Sequence, residues 1–211
     1  GVDVMIEKKP GRIQVTELRT ILLLEADFNQ GNKKVGKLLM TNAEKFGLLA
    51  PAQYGSRKFF TAIIHGLNKR LTFDILRQRK QQGGLVSTDA MACYERIIHI
   101  AASLAMQRAG ATPSVVHCML DTLQRLRHFI KSAYGTSVKY FDADDCSGFP
   151  IGGTGQGSGA SPAIWALVST PIFDAMRRRG YGGFLTCPIT GEKVTFVGYA
   201  LCDDTDWGAT D

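Results

Sequence analysis

Apolar and polar residues alternate along the first two dozen positions, around a basic turn. Val4 and Ile6 lead into Lys8-Lys9-Pro10-Gly11, and the chain returns through Ile13, Val15 and Leu18 to Ile21-Leu22-Leu23-Leu24. That pattern, broken by Pro-Gly, predicts a β-hairpin over residues 2–24. The apolar period then lengthens. Val35, Leu38, Leu39 and Phe46 fall on one face of a helix over 30–46. Phe60, Ile63, Ile64, Leu67, Leu71, Ile75 and Leu76 mark a second helix over 57–81, which Gly83-Gly84 ends. A strand, Leu85-Val86-Ser87-Thr88, follows. Helices are expected at 95–109 and 113–131, separated by Gly110 and Pro113. Residues 137–155 form a glycine-rich stretch with one short strand, Val138–Phe141. Pro162 stands in the first turn of a helix running to Arg178, where proline is tolerated. A hairpin closes the chain: Phe184–Ile189, a turn at Thr190-Gly191, and Lys193–Leu201. There is no internal repeat.

At 211 residues, 45% hydrophobic and 21% charged, the chain is long and apolar enough for a real core, in one domain or one domain with two lobes. The net charge of +6 and pI of about 9.1 are compatible with a polyanionic partner, and equally with many proteins that bind none. The five cysteines, an odd number without zinc-site spacing, are read as reduced, placing the chain inside the cell, in nucleus or cytoplasm. No apolar run approaches the roughly 20 residues that span a bilayer, and no secretory signal opens the chain, so no membrane partner is expected. Gly1 and Asp211 both look like cut ends, so the chain is read as a fragment.

Candidate chemistry lies at strand ends. Asp89 follows one apolar strand, and Asp203-Asp204 follow the run Phe196-Val197-Gly198-Tyr199-Ala200-Leu201. Strands that run straight into carboxylates are costly unless the charges meet a cation. Hard divalent ions prefer such oxygens. Taken alone, Asp203-Asp204 also read as a polar turn and Asp89 as a helix N-cap. Asp144-Asp145, likewise close behind an apolar strand, are assigned to a loop.

The order of the motifs narrows the choice. Tyr94 stands five residues after Asp89; then come Gln156-Gly157, three spacers and Ser161-Pro162; then Asp203-Asp204. This succession resembles the palm motifs of reverse transcriptases, RNA-directed DNA polymerases, over nearly the whole chain. The amino-terminal Lys8-Lys9-Pro10, then Arg19-Thr20-Ile21 with Asp27 beyond, resembles the fingers of non-LTR and group II-like retroelement enzymes. The resemblance implies an α+β right-hand polymerase fold: fingers at 1–84 and about 113–150, palm at about 85–112 and 151–211, an antiparallel palm sheet backed by helices, and no thumb.

The resemblance also assigns roles. Asp89 and Asp203 resemble the principal ligands of two magnesium ions, with manganese as a substitute, and the carbonyl of Ala90 an extra ligand. Asp204 resembles the supporting second aspartate. Tyr94 matches the ring that excludes a ribose 2′-hydroxyl. Gln156 and Gly157 match the lining of the nucleotide pocket. Arg19 matches a triphosphate contact, since its guanidinium fork suits phosphate, with Lys8 or Lys9 as a second. Gln53-Tyr54-Gly55 resembles a Gln-x-Gly motif that touches the template through Gln53 and Gly55. The implied partners are an RNA or DNA template-primer, deoxynucleoside triphosphates and the rest of a parent polyprotein. Basic residues of the expected fingers (Lys33, Lys34, Lys37, Arg57, Lys58, Lys69, Arg70, Arg77, Arg79 and Lys80) are available to template phosphates or simply to solvent.

Two departures stand out. Leu201 occupies the place, two before the first aspartate of the pair, where the family usually has an aromatic residue. Thr20 replaces the proline after the fingers arginine. With no thumb or primer grip, the fragment alone is expected to be inactive. Two rival readings are carried. Viral RNA-dependent RNA polymerases share the palm, but usually have aspartate where Tyr94 stands and Ser-Gly in the middle motif. A non-catalytic nucleic-acid-binding remnant would have no need of Asp89, Asp203 and Asp204.

Overall fold

The computed structural model describes residues 1–146, 151–187 and 189–210. In chain order the elements begin with β1 (Val2–Glu7), β2 (Leu18–Leu23), α1 (Ala26–Lys45), α2 (Ala62–Arg79) and β3 (Gly83–Asp89). They continue with α3 (His99–Arg108), α4 (Pro113–Gln124), β4 (Phe129–Ser132), β5 (Gly135–Thr136) and α5 (Ser161–Arg178). Last come β6 (Gly183–Thr186), β7 (Lys193–Phe196), β8 (Gly198–Leu201) and β9 (Asp204–Thr210). The architecture is mixed α+β, and the chain forms two compact units, each assembled from two separate segments.

The first unit comprises residues 1–42 and 94–164. Its sheet has the order β2-β1-β4-β5, with β1 antiparallel to β2 and parallel to β4. The β1–β2 hairpin is present as expected, but its return strand begins at Leu18. Ile13 and Val15 are 74% and 77% exposed in the connection, so their apolar character reflects no pairing. Helix α1 starts at Ala26 rather than 30, with Asp27 at the favourable, positive end of the helix dipole. Its buried stripe includes Asn32, Gly36 and Leu39, at i, i+4 and i+7. The turn that the sequence pattern missed, residues 26–29, has no fully buried residue to mark it. Gly36 is needed in the stripe because a Cβ would lie 2.9 Å from the Gly159 carbonyl oxygen. Helices α3 and α4 bury Ala102, Met106, Val116, Met119, Leu120 and Leu123. Helix α4 stops at Gln124, short of the expected 131, because Phe129–Ser132 enter the sheet beside β1. The expected strand Val138–Phe141 reduces to a bridge between Phe141 and His128, and Val138 is exposed. Residues 147–150 of the glycine-rich stretch, and Pro188 in the expected strand Phe184–Ile189, lie outside the described residues. Asp144 and Asp145 sit in a 3₁₀ turn, as a loop assignment requires.

The second unit comprises residues 43–93 and 165–211. It holds the antiparallel sheet β3-β9-β8 and the separate β6-β7 hairpin. The expected closing hairpin is thus divided between two sheets. Gly198 starts β8 after a break, and a Cβ there would lie 2.2 Å from the Asp206 carbonyl oxygen. Strand β9, beyond the aspartate pair, was not foreseen. Its pattern, Asp204-Thr205-Asp206-Trp207, places a charged residue inside and hides the alternation. Ala50, Ala52, Phe173, Val197 and Ala200 form the core, with Met176 and Trp207 packed on it. Helix α2 begins at Ala62, where the Thr61 hydroxyl caps the Ile64 N–H at 3.2 Å. It ends at Lys80 in the left-handed conformation, so Gly83-Gly84 open the next strand instead of ending the helix. The buried face of α2 is His65, Thr72 and Leu76, while Ile63, Leu67 and Leu71 are exposed. No helix among the described residues is long and apolar enough to cross a membrane.

Candidate active site

In the second unit, β3 and β9 pair antiparallel along their full length, from Gly83↔Thr210 to Asp89↔Asp204. The two acids therefore stand directly opposite, where side chains share one face of the sheet. Strand β8 pairs Leu201 with Asp204, leaving Cys202 and Asp203 as a two-residue turn. The Ala90 N–H donates to the Asp203 carbonyl at 3.2 Å, tying the turn to the end of β3. Register and turn thus gather Asp89, Ala90, Asp203 and Asp204, which the sequence separates by more than a hundred positions.

Asp89 and Asp204 are exposed and Asp203 is half-buried. Among the described residues, no salt bridge neutralises any of the three. Like charges directly opposite destabilise a strand pair, so a cation at this end would be favourable. Among the described residues, no three His, Cys, Asp or Glu side chains close into a ligand set. The end of the sheet is open, with two opposed carboxylates and a third one residue away. Hard oxygen donors in that arrangement fit magnesium, which is usually held by one or two carboxylates and keeps other positions for water or substrate phosphate.

The turn is supported from within the unit. Gln53 is 0% exposed. Its Oε1 accepts from the N–H of Gly55 at 2.8 Å and of Cys202 at 3.1 Å. Its Nε2 donates to the Cys202 carbonyl at 3.2 Å and to Ser169 Oγ at 3.4 Å. Trp165 Nε1 donates to the same carbonyl at 2.8 Å. Gly55 is buried too, and a Cβ on it would lie 2.3 Å from the Cys202 nitrogen. The Gln-x-Gly motif expected to touch a template is therefore buried against the aspartate turn, with its side-chain amide committed there.

Beside these acids lies a buried one that escaped the sequence reading. Asp206 lies two residues along β9 from Asp204, and Lys69 Nζ approaches it at 2.6 Å. Ser87 Oγ also donates to it, and His65 lies at 4.0 Å. Burial raises the Asp206 carboxyl pKa, but the Lys69 and Ser87 hydrogen bonds and the nearby positive charge outweigh it, leaving the group below the usual carboxylate range. The period-two spacing of Asp204 and Asp206 was the available signal. Lys69, counted among the basic fingers residues, is thus occupied inside the unit. Arg57 pairs with Glu44 at 2.7 Å, and Arg70 and Arg77 both pair with Asp74.

The remaining expected site residues lie in the first unit. Arg19 is on β2, opposite Ile6, and exposed. Lys8 and Lys9 are exposed just beyond β1. The Tyr94 carbonyl accepts from Thr154 N–H at 2.8 Å, and the Glu95 carboxylate accepts from Gln156 N–H at 3.1 Å. The Gln156 carbonyl in turn accepts from the Leu22 N–H at 2.8 Å. Tyr94, Gln156 and β2 are thereby joined. Gln156 lines a cavity of about 200 Å³ with Thr20, Glu95 and His128. Gly157 has φ +135°, and a Cβ would lie 2.2 Å from the Leu22 carbonyl oxygen. The close approach that it permits is to β2.

No family model and no curated protein matches the chain. Solved structures do. A telomerase from Candida albicans, in complex with a TWJ fragment of telomeric RNA, aligns with TM-score 0.55 at 10% identity, over 100% of this chain and 38% of that one. An apo telomerase from Candida tropicalis, truncated from its C-terminal domain, aligns with TM-score 0.54 at 11% identity, over 90% of this chain and 41% of that one. The chain thus spans about two fifths of each of these telomerase chains, and at such identity the likeness is one of fold. The chain therefore shares its fold with part of each of these telomerase chains.

Proposed function

We propose that this chain is the fingers and part of the palm of a retroelement reverse transcriptase of the non-LTR or group II-like kind. Its reaction is addition of a deoxynucleotide to a primer 3′-hydroxyl on an RNA or DNA template, with release of pyrophosphate. The observation that carries the reading is the register of β3, β8 and β9, which sets Asp89 opposite Asp204 and ties Asp203 to Ala90. The telomerase-like fold supports it.

In this reading Asp89 and Asp203 hold the magnesium ions, with the Ala90 carbonyl as an added ligand and Asp204 as support. Magnesium held there would supply Lewis acidity for activating the primer hydroxyl and charge to offset the triphosphate. Arg19 offers its guanidinium to the triphosphate, with Lys8 or Lys9 beside it. Tyr94 excludes the 2′-hydroxyl, and Gln156 with Gly157 shapes the nucleotide pocket. Tyr94 and Gln156-Gly157 favour DNA over RNA synthesis.

The test is primer extension by the full-length protein that contains this chain, on an RNA template, comparing wild type with Asp203→Asn. Extension with deoxynucleotides that falls by about a hundredfold to a thousandfold in the variant is the expected result, the scale at which loss of a group stabilising transition-state charge is felt. Preference for ribonucleotides would point to an RNA polymerase instead. Unimpaired RNA binding with no extension by either protein would point to a binding remnant.

A further inference from the structure

We propose that Gln53 is a positioning residue for the catalytic aspartate turn, clamping Cys202 so that Asp203 is held toward Asp89. The inference rests on the polymerase reading above and deepens it.

Cys202 has φ +58°, in the left-handed region that non-glycine residues seldom occupy. Such a conformation persists only where the surroundings over-determine it. Here a single side-chain amide binds both backbone groups of the strained residue: Oε1 of Gln53 takes the Cys202 N–H and Nε2 gives to the Cys202 carbonyl. The orientation of that amide is fixed by its partners. Two backbone N–H groups, of Gly55 and Cys202, point at Oε1, while a carbonyl faces Nε2. Flipping the amide would set donor against donor and acceptor against acceptor.

The clamp is itself anchored. Tyr54 N–H donates to the Ala200 carbonyl and Ala200 N–H to the Ala52 carbonyl, both at 2.7 Å, so residues 52–54 run alongside β8 and deliver Gln53 in register. Gly55 then passes against the turn where no side chain fits. From Cys202 the path to the site is one residue long, since Asp203 follows and its carbonyl is bonded to Ala90, next to Asp89. An apolar residue of the same size at position 53 would fill the space but remove both amide bonds to the Cys202 backbone, leaving Trp165 Nε1 on the carbonyl. The turn would then relax away from the left-handed conformation, carrying Asp203 with it. Metal affinity falls first, because the ligand is displaced while the rest of the unit stands.

The experiment uses the full-length protein as wild type, Gln53→Leu, Cys202→Gly and the double variant. Three readouts are taken: Mn²⁺ binding by electron paramagnetic resonance without substrate, the Mg²⁺ concentration for half-maximal primer extension, and thermal unfolding. Gln53→Leu, still folded, is expected to weaken Mn²⁺ binding and to raise the Mg²⁺ requirement by about tenfold, the usual effect of removing a group that orients a metal ligand. Adding Cys202→Gly is expected to recover most of that loss, because glycine adopts positive φ without cost. Cys202→Gly alone sets the baseline against which the double variant is read. Unaltered metal dependence in folded Gln53→Leu would overturn the proposal, and so would a deficit that glycine at 202 fails to relieve. Should Gln53→Leu not fold, Ser169→Ala removes one anchor of the same amide, and a Mg²⁺ requirement unmoved by it would also overturn the clamp. Failure of the wild type to bind Mn²⁺ or extend a primer would instead bring down the polymerase reading, a result visible before any variant is compared.

Discussion

At the scale of single residues, several positions are fixed by backbone geometry more than by chemistry. Gly157 combines φ +135° with a neighbour 2.2 Å from where its Cβ would be. The obstacle is the backbone oxygen of Leu22, which cannot rotate away as a side chain can. Gly157→Ala is expected to destabilise the protein by about 2 kcal/mol, from the unfavourable backbone region and the forced shift of β2. Urea unfolding checks this as a fall in midpoint with little change in slope. A variant as stable as wild type would show that β2 can give way. The sequence analysis assigned Gly157 to the lining of a nucleotide pocket, and the structure sets the chain's own strand β2 against it.

At the scale of elements, β9 carries a buried charge whose partners come from α2 and β3. Asp206 is 4% exposed and bonded to Lys69 and Ser87. Its carboxyl pKa is lowered in the folded state, so the unfolded chain binds a proton more readily. The stability this group contributes is therefore fully present above the ordinary carboxylate pKa of about 4 and is lost as pH falls through the lower folded value. Asp206→Ala is expected to cost about 2–3 kcal/mol at neutral pH, since it strands Lys69 and Ser87. Its penalty should shrink as pH is lowered below about 4, because the wild type loses the same charge. Denaturant unfolding of both proteins across pH 3–7 tests this. A penalty independent of pH would mean that Asp206 acts through packing alone. The apolar stripe on α2 misled because the face that packs is His65, Thr72 and Leu76, with His65 4.0 Å from Asp206 and Thr72 bonded to Tyr199.

At the scale of the whole molecule, the 25 Lys and Arg overstate the cations free to meet a polyanion. Lys69, Arg57, Arg70 and Arg77 are all in ion pairs. Lys34, Lys37, Arg79 and Lys80 are exposed and outside the ion pairs found among the described residues. If the chain binds single-stranded RNA as proposed, log K should fall linearly with log salt, with a slope of about −0.7 per phosphate contacted. Replacing Lys34 and Lys37 by Gln should make that slope shallower, whereas Lys69→Gln should lower stability instead. Filter binding across a salt series separates the two, and a slope unmoved by the α1 pair would place the contacts elsewhere.

What the sequence determined by itself was local or ordered along the chain. It determined the amino-terminal hairpin, the strand before Asp89, the helix from Ser161 to Arg178 and the succession of motifs behind the proposed function. Local periodicity and turn chemistry suffice for these. Only the tertiary structure decided which acids meet, that β9 exists to pair with β3, and that Gln53 turns inward to the Cys202 turn. The physical reason is the same in each case. A buried polar group is defined by its partners, and those partners lie 149 positions away for Gln53 and 119 for Asp206 with Ser87, beyond the reach of any local pattern.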